Sequence, residues 1–243
     1  MKNILKAVKK YMNLLLKNQM YNFIKRTLDI FVAAITIFIL LPLFIPISLI
    51  LKLTGEGEIF YLQERVGRGN KIFKIYKFAT MLKNSESMGS GIYTAKNDSR
   101  ILPIGSFLRK TKINELPQIL NILLGDISLV GPRPLIKQTF NLYNINDQKV
   151  ISSVKPGLTG IGSIIFRNEE ELLAKSDTDN LEEYYEKYIT PYKARLELWY
   201  VKNQSLSIDI KIILITAWVI IFKKSKLPFK VFKNLPISSS LKI

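Results

Sequence analysis

Arg109-Lys-Thr-Lys-Ile-Asn-Glu-Leu-Pro-Gln-Ile-Leu-Asn-Ile-Leu-Leu-Gly-Asp126 is the stretch around which the chain is organised, and Gly131-Pro-Arg-Pro134 follows it closely. Leu116, Ile119, Leu120, Leu123 and Leu124 recur at the spacing of one buried helical stripe. Pro117 lacks an amide proton and fits only a first turn, so helix is expected from about Ile113, with Gly125 placed to end it. Asn114 and Glu115 then sit at a helix N-terminus, where free amides and the positive end of the dipole favour an anion. Arg109, Lys110 and Lys112 precede that point, and Arg133 is held on a stiff segment just beyond it. The same residues also suit an ordinary helix, since Asn is a good cap and an acid in the first turn complements the dipole. The cluster as a whole, with its Gly-Pro-Arg-Pro segment, points toward phosphate chemistry.

Composition narrows the chemistry. The 243 residues contain no cysteine and no histidine. Thiol nucleophiles, disulfides, Cys/His zinc sites and His-based triads are therefore excluded. Carboxylate, amide, hydroxyl and lysine are left to act as base, nucleophile or metal ligand. The formal charge of +17 calls for a partner of opposite sign: nucleic acid, anionic lipid or a phosphorylated substrate.

The hydrophobic distribution chooses among them. Residues 1–28 carry Lys2, Lys6, Lys9, Lys10, Lys17, Lys25 and Arg26 and no acid, with Ile4, Val8, Tyr11 and Leu15 at helical spacing. That pattern fits a basic amphipathic helix on an anionic membrane surface, or equally a plain surface helix. Ile30 to Leu51 is uncharged for about 22 residues, the length that crosses a bilayer core. Pro42 and Pro46 interrupt its second half, and positive charge crowds both flanks. The positive-inside rule then wants both ends in the cytoplasm, which a bent segment entering and leaving by one face satisfies and a straight span does not. No signal peptide is expected, because the apolar run comes late and no small-residue cleavage site follows it.

Glu58 to Val66 and Lys71 to Phe78 are rich in β-branched and aromatic residues and flank Gly67-Arg-Gly-Asn70, which predicts a β-hairpin. Residues 84–99 form a polar loop, and Lys155-Pro-Gly-Leu-Thr-Gly160 a turn. Glu169 to Glu186 is acidic and helical in pattern. The uncharged run Ile212 to Phe222, about 11 residues, is too short to span and suits an interface. The fold expected is α+β: a mostly helical, membrane-associated domain with a re-entrant, kinked membrane helix and a small β-hairpin. Its parts are a basic N-terminal helix (1–28), a re-entrant hairpin (29–53), a catalytic domain (54–205) and an interfacial C-terminal helix and tail (206–243).

Together these pieces resemble the bacterial sugar transferases, the small monotopic phosphoglycosyl transferases that begin glycan assembly on a polyprenyl lipid. The carriers are Lys25-Arg-Thr-Leu-Asp29, Gln63-Glu-Arg-Val-Gly67 and Phe73-Lys-Ile-Tyr-Lys-Phe-Ala-Thr-Met81. Leu108 to Gln118, Gly125-Asp-Ile-Ser-Leu-Val-Gly-Pro-Arg-Pro134 and Lys155 to Gly160 complete the set, so the likeness covers about residues 25 to 222. The resemblance implies transfer of sugar 1-phosphate from a UDP-sugar to undecaprenyl phosphate at the cytoplasmic face of the bacterial inner membrane, with release of UMP and with Mg²⁺. It implies substrate-phosphate, lipid-phosphate or nucleotide contacts at Lys77, Arg109, Glu115, Arg133 and Arg167, with Glu115 and Asp126 as candidate metal ligands. It also implies a helix break at Pro42, where the family's Ser-Pro pair reads Leu41-Pro42. Membrane lipid is an expected partner, a second copy of the chain an admissible one, and nucleic acid is not expected, for no nucleic-acid module is recognisable.

The largest departure is Asn114, which stands where the family pattern has a nucleophilic aspartate. An amide is a far poorer nucleophile and a weaker Mg²⁺ ligand. Three outcomes stay open. Glu115 takes over as nucleophile in a rearranged first turn, the lipid phosphate attacks directly, or the chain is an impaired homologue that binds without turnover.

Overall fold

A computed structural model of the protein describes residues 2–54, 56–88, 98–169, 172, 181–222, 225–238 and 241. The expected 89–97 portion of the polar loop and most of the acidic 169–186 stretch lie outside the described residues. Helix α1 (Lys2–Thr54) is a single continuous element. The basic N-terminal helix and the membrane segment, expected as separate units, are therefore one. No glycine or proline separates Lys25 from Ile30, so nothing in the backbone interrupts the helical hydrogen bonds between the two parts. Pro42 and Pro46 lie inside α1 without ending it, so the helix does not break at Pro42.

One face of α1 rests on the rest of the molecule from Tyr21 to Leu51. Lys25 and Tyr21 donate to Asp209 Oδ2 at 2.6 and 2.9 Å, and Arg26 donates to the carbonyls of Ile122 and Leu123. Asp29 accepts from the Leu129 amide at 3.0 Å. Ala33 and Ile37 pack on Ile119, Ile122 and Ile127, while Phe44, Ile47 and Leu51 pack on Phe78 and Leu108. Positions 26, 29, 33, 37, 44, 47 and 51 thus form one helical stripe facing inward. The opposite face is apolar and uncovered, with Phe38 79% and Leu53 82% exposed.

The hairpin forms as expected. Strands β1 (Phe60–Val66) and β2 (Ile72–Phe78) pair antiparallel, from Phe60 opposite Phe78 to Val66 opposite Ile72. Gly69 and Asn70, with φ of 66° and 61°, supply the left-handed backbone of the connection. Helix α2 (Pro103–Lys110) starts on its proline and ends at Thr111. Lys112, at φ 62°, then turns the chain into a 3₁₀ turn, Ile113–Glu115. Helix α3 (Gln118–Leu124) follows Pro117 and stops at Gly125, whose φ of 92° is the left-handed cap its position suggested.

Two sequence expectations shift here. Helix proper begins after Pro117 rather than near Ile113, which leaves Asn114 and Glu115 on a tighter turn. The buried stripe is also rotated. Gln118, Ile119, Asn121 and Ile122 are buried, whereas Leu124 is 66% exposed. The cause is Asn121, which is fully enclosed. Its Oδ1 accepts from the Tyr76 amide at 2.9 Å and its Nδ2 donates to the Lys74 carbonyl at 2.8 Å, so a polar residue stitches α3 to β2.

Beyond α3, strands β3 (Ser128–Val130) and β4 (Gly157–Thr159) pair in parallel. Helices α4 (Lys137–Phe140) and α5 (Ile145–Ile151) lie between them. The Gly131–Pro134 and Lys155–Gly160 motifs meet backbone to backbone here. Gly131 donates to Thr159 O at 3.0 Å, Gly157 donates to Pro132 O at 2.8 Å, and a Cβ on Gly157 would lie 2.0 Å from the Gly131 nitrogen. This contact admits only glycine and fixes the segment that carries Arg133.

Helix α6 (Ile161–Ile165) leads onward, and α7 (Leu181–Tyr184) runs through a π turn (Tyr185–Ile189) into α8 (Thr190–Asn203). Helices α9 (Leu206–Ile221) and α10 (Leu227–Val231) close the fold. Ile161, Ile189, Tyr192, Leu196, Tyr200 and Ile212 form the heart of its largest core cluster. The run expected at an interface is α9. It buries Ile212, Ile215 and Val219 in that core and leaves Ile213, Leu214, Ile220, Ile221 and Phe222 exposed.

Candidate active site

Glu115 and Lys77 are the centre of the site. Lys77 lies near the end of β2, and Glu115 on the 3₁₀ turn that the left-handed Lys112 makes possible. Both are half-buried. Burial alone would raise the Glu115 carboxyl, but Arg133, Lys77, Lys112 and Arg65 outweigh it and hold the group below the usual glutamate value. Lys77 moves the other way. Burial brings its ammonium down to about 8, against the pull of Glu115 and with the push of Arg65, Arg133 and Arg109. One carboxylate thus lies among five cations, an arrangement whose surplus positive charge suits a polyphosphate.

A cleft of about 700 Å³ opens beside this cluster, walled by the hairpin on one side and by residues 79–85 on the other. Arg109, Asn114, Lys77 and Arg65 line it. Asn114 is 8% exposed, and its Oδ1 is buried with no hydrogen-bond partner. A buried acceptor left unpaired costs roughly 1–3 kcal/mol, so the atom is suited to a ligand donor or a cation. Arg65 donates to the Pro134 carbonyl at 3.2 Å and to Gln63, which ties the strand to the Gly-Pro-Arg-Pro segment.

Glu115, Asn114, Lys77, Arg109 and Arg133 are therefore brought together, as expected. Two expected residues are not. Asp126 sits past the far end of α3 and accepts from Asn121 Nδ2 at 3.0 Å. Its carboxylate thus faces Asn121, at the opposite end of α3 from Glu115. Arg167 lies by the end of α9, where its Nη2 donates to the Ile220 carbonyl at 3.2 Å and burial lowers its guanidinium. Among the described residues no three acids gather into a metal-binding group.

Two contributors went unassigned by sequence reasoning. Arg65 lay inside a quoted motif without a role. Glu197 gave no signal, because Lys193 and Glu197 are four residues apart, a spacing common to the exposed ion pairs of ordinary helices. In the structure Glu197 is 3% exposed and accepts from the Arg133 amide at 3.3 Å.

The family profile of the bacterial sugar transferases matches residues 20–223, which takes in every element from the inner part of α1 to the end of α9. The chain belongs to that family. Among its relatives, the UDP-N-acetylgalactosamine-undecaprenyl-phosphate N-acetylgalactosaminephosphotransferase of Aeromonas hydrophila is 34% identical over 209 residues, covering 85% of this chain and 46% of that protein. The undecaprenyl-phosphate galactose phosphotransferase of Salmonella typhimurium is 35% identical over 214 residues, 82% of this chain and 40% of the relative. The exopolysaccharide production protein ExoY of Sinorhizobium fredii is 34% identical over 159 residues, 60% of this chain and 70% of its own length. This sugar transferase chain thus spans less than half the length of the first two.

Proposed function

We propose that this sugar transferase moves a sugar 1-phosphate from a UDP-sugar onto undecaprenyl phosphate and releases UMP. The observation that carries the reading is the gathering of Lys77, Arg133, Arg65 and Lys112 around Glu115, with Lys77, Arg65 and Arg109 lining the adjoining cleft. The names of the relatives above agree with it. In the proposed step an oxygen of Glu115 attacks the sugar-bearing phosphorus, and the bond from that phosphorus to the bridging oxygen breaks. UMP leaves with that oxygen and its electron pair, and the sugar phosphate is left as an acyl phosphate on Glu115. An oxygen of the lipid phosphate then attacks the same phosphorus and frees the carboxylate. Arg133, Arg109 and the Lys77 ammonium neutralise the charge on the transferring group. Asn114, neutral and buried, orients rather than attacks.

Magnesium suits this site in a minimal way. Mg²⁺ takes one or two protein oxygens and fills the rest of its shell from phosphates and water, and Glu115 with the unpaired Asn114 Oδ1 supplies such a pair. When bound it would offset the charge of the diphosphate. Asp126 has no part in this set.

The membrane arrangement follows from α1. The two ends of its apolar run, Asp29 to Ala33 and Ile47 to Leu51, touch the same body. A body that meets both ends of the run along one unbroken helix would have to lie in the hydrocarbon if that helix were a span. This favours α1 seated along the body in the cytoplasmic leaflet of the inner membrane, entering and leaving by one face, with the exposed faces of α1 and α9 in lipid.

The test is UMP release from a broad panel of UDP-sugars, with and without undecaprenyl phosphate. Turnover that requires the lipid, preceded by one UMP per enzyme in its absence, is expected. Lipid-dependent turnover with no such burst replaces Glu115 attack by direct attack of the lipid phosphate. No release from any donor, restored by Asn114→Asp, would make the chain an impaired homologue.

A further inference from the structure

A second buried carboxyl stands behind Arg133, and the reaction above gives it no task. Glu197 Oε1 accepts from the Arg133 amide, while Oε2 is buried and has no hydrogen-bond partner. Room for the group is made by Gly162, where a Cβ would lie 2.3 Å from Oε1. The charged and titratable groups around it come from several elements. Arg133 faces it from the turn after β3, Lys193 from one turn earlier on α8, and Tyr143 from the link between α4 and α5. Lys193 is committed elsewhere. Its ammonium donates to Glu169 Oε1 and to the Tyr185 hydroxyl, both at 2.6 Å. Burial pushes the Glu197 carboxyl up to about 7, against the Arg133 amide and the charges of Lys193 and Arg133.

We propose that Glu197 is a positioning residue for the transfer, holding the Arg133 main chain and taking up a proton as the donor diphosphate arrives, so that the guanidinium's charge is left to the substrate. The inference rests on the reading of this site as a diphosphate site. Its physics is short. An ionised Glu197 competes with a phosphate for Arg133, a neutral one does not, and either form still offers the amide an oxygen. New negative charge beside Arg133 favours the neutral form. The proton comes from solvent and lands on the unpartnered Oε2.

The experiment measures UDP affinity of the full chain in lipid nanodiscs at pH 6 and pH 8, for wild type, Glu197→Gln and Glu197→Leu, with thermal midpoints alongside. Glutamine keeps the acceptor and cannot titrate; leucine removes the acceptor. If binding raises the carboxyl by one unit from about 7, wild type should bind about fivefold more weakly at pH 8 than at pH 6, beyond any change in Glu197→Gln. Lys77 and the UDP phosphate titrate in both proteins, so the difference between them isolates Glu197. Glu197→Leu, with the Arg133 amide left unpaired, should lose about tenfold or more at both pH values.

Equal pH dependence in wild type and Glu197→Gln overturns the proposal, as does Glu197→Leu binding as tightly as Glu197→Gln. Should the leucine variant fail to fold, the comparison of wild type with glutamine decides alone. UMP release is followed in parallel. A wild type that binds UDP with the expected pH difference yet releases no UMP overturns the transfer and sustains Glu197. Turnover without that difference does the reverse, and no UDP binding at all removes both.

Discussion

At the scale of single residues, the site is governed by one imbalance: a lone carboxylate among cations. Glu115→Gln removes the proposed nucleophile and also the negative charge that opposes Lys77, Arg133, Lys112 and Arg65 directly. UMP release should fall by at least about 100-fold, while UDP, in metal-free buffer, binds more tightly than to wild type. A variant that loses turnover and UDP affinity together would argue that Glu115 merely supports the fold. Lys77 supplies a second prediction. Its ammonium, brought down to about 8, is present below that pH and lost above it. Activity should therefore decline through about pH 8, and Lys77→Arg, which stays charged, should move the decline to higher pH. An unchanged alkaline limb in the arginine variant would sink the assignment. Much of this was legible in the sequence, since Glu115, Arg109 and Arg133 sit in short local motifs. Arg65 and Glu197 were not, because what defines them is contact with Pro134 and with the Arg133 amide, partners 69 and 64 residues away in the chain.

At the scale of elements, α1 is held to the body by polar side chains that a hydropathy reading passes over. Asp209 is the centre of that grip, bonded to Lys25 and Tyr21 and, through Oδ1, to the Tyr200 hydroxyl at 2.8 Å. Removing one partner of a buried ion pair strands the other. Asp209→Asn should cost about 3 kcal/mol, read as a lower thermal midpoint, and Lys25→Met in the same chain should recover part of it. Additive losses in the double variant would show that the pair is not coupled. The element scale also explains why the α3 stripe was misplaced. Periodicity counts apolar residues, but Asn121 is enclosed because β2 presents an unpaired amide and carbonyl to it. The tight contact of the Gly131 and Gly157 segments likewise joins two motifs that look unrelated along the chain.

At the scale of the whole molecule, the length of the apolar run and the positive charge on its flanks carried the membrane reading. The sequence could not reveal that the run continues a longer helix, nor that its inward stripe reaches from Arg26 to Leu51. Those facts come from packing against α3, β2 and α2, elements that come later in the chain. The absence of cysteine makes topology directly measurable. Leu16→Cys and Leu53→Cys, both at exposed positions either side of the run, should react with an impermeant maleimide from the same, cytoplasmic side. Reaction from opposite sides would establish a true span. The grip on both ends of α1 has one more consequence. On the proposed topology, a segment fastened at its entry and at its exit dips only as far as its own slack permits, so it would gauge a single leaflet and be blind to the other. Thickening the far leaflet should leave turnover untouched, whereas stiffening the near one should pry the helix from its seat and slow the enzyme.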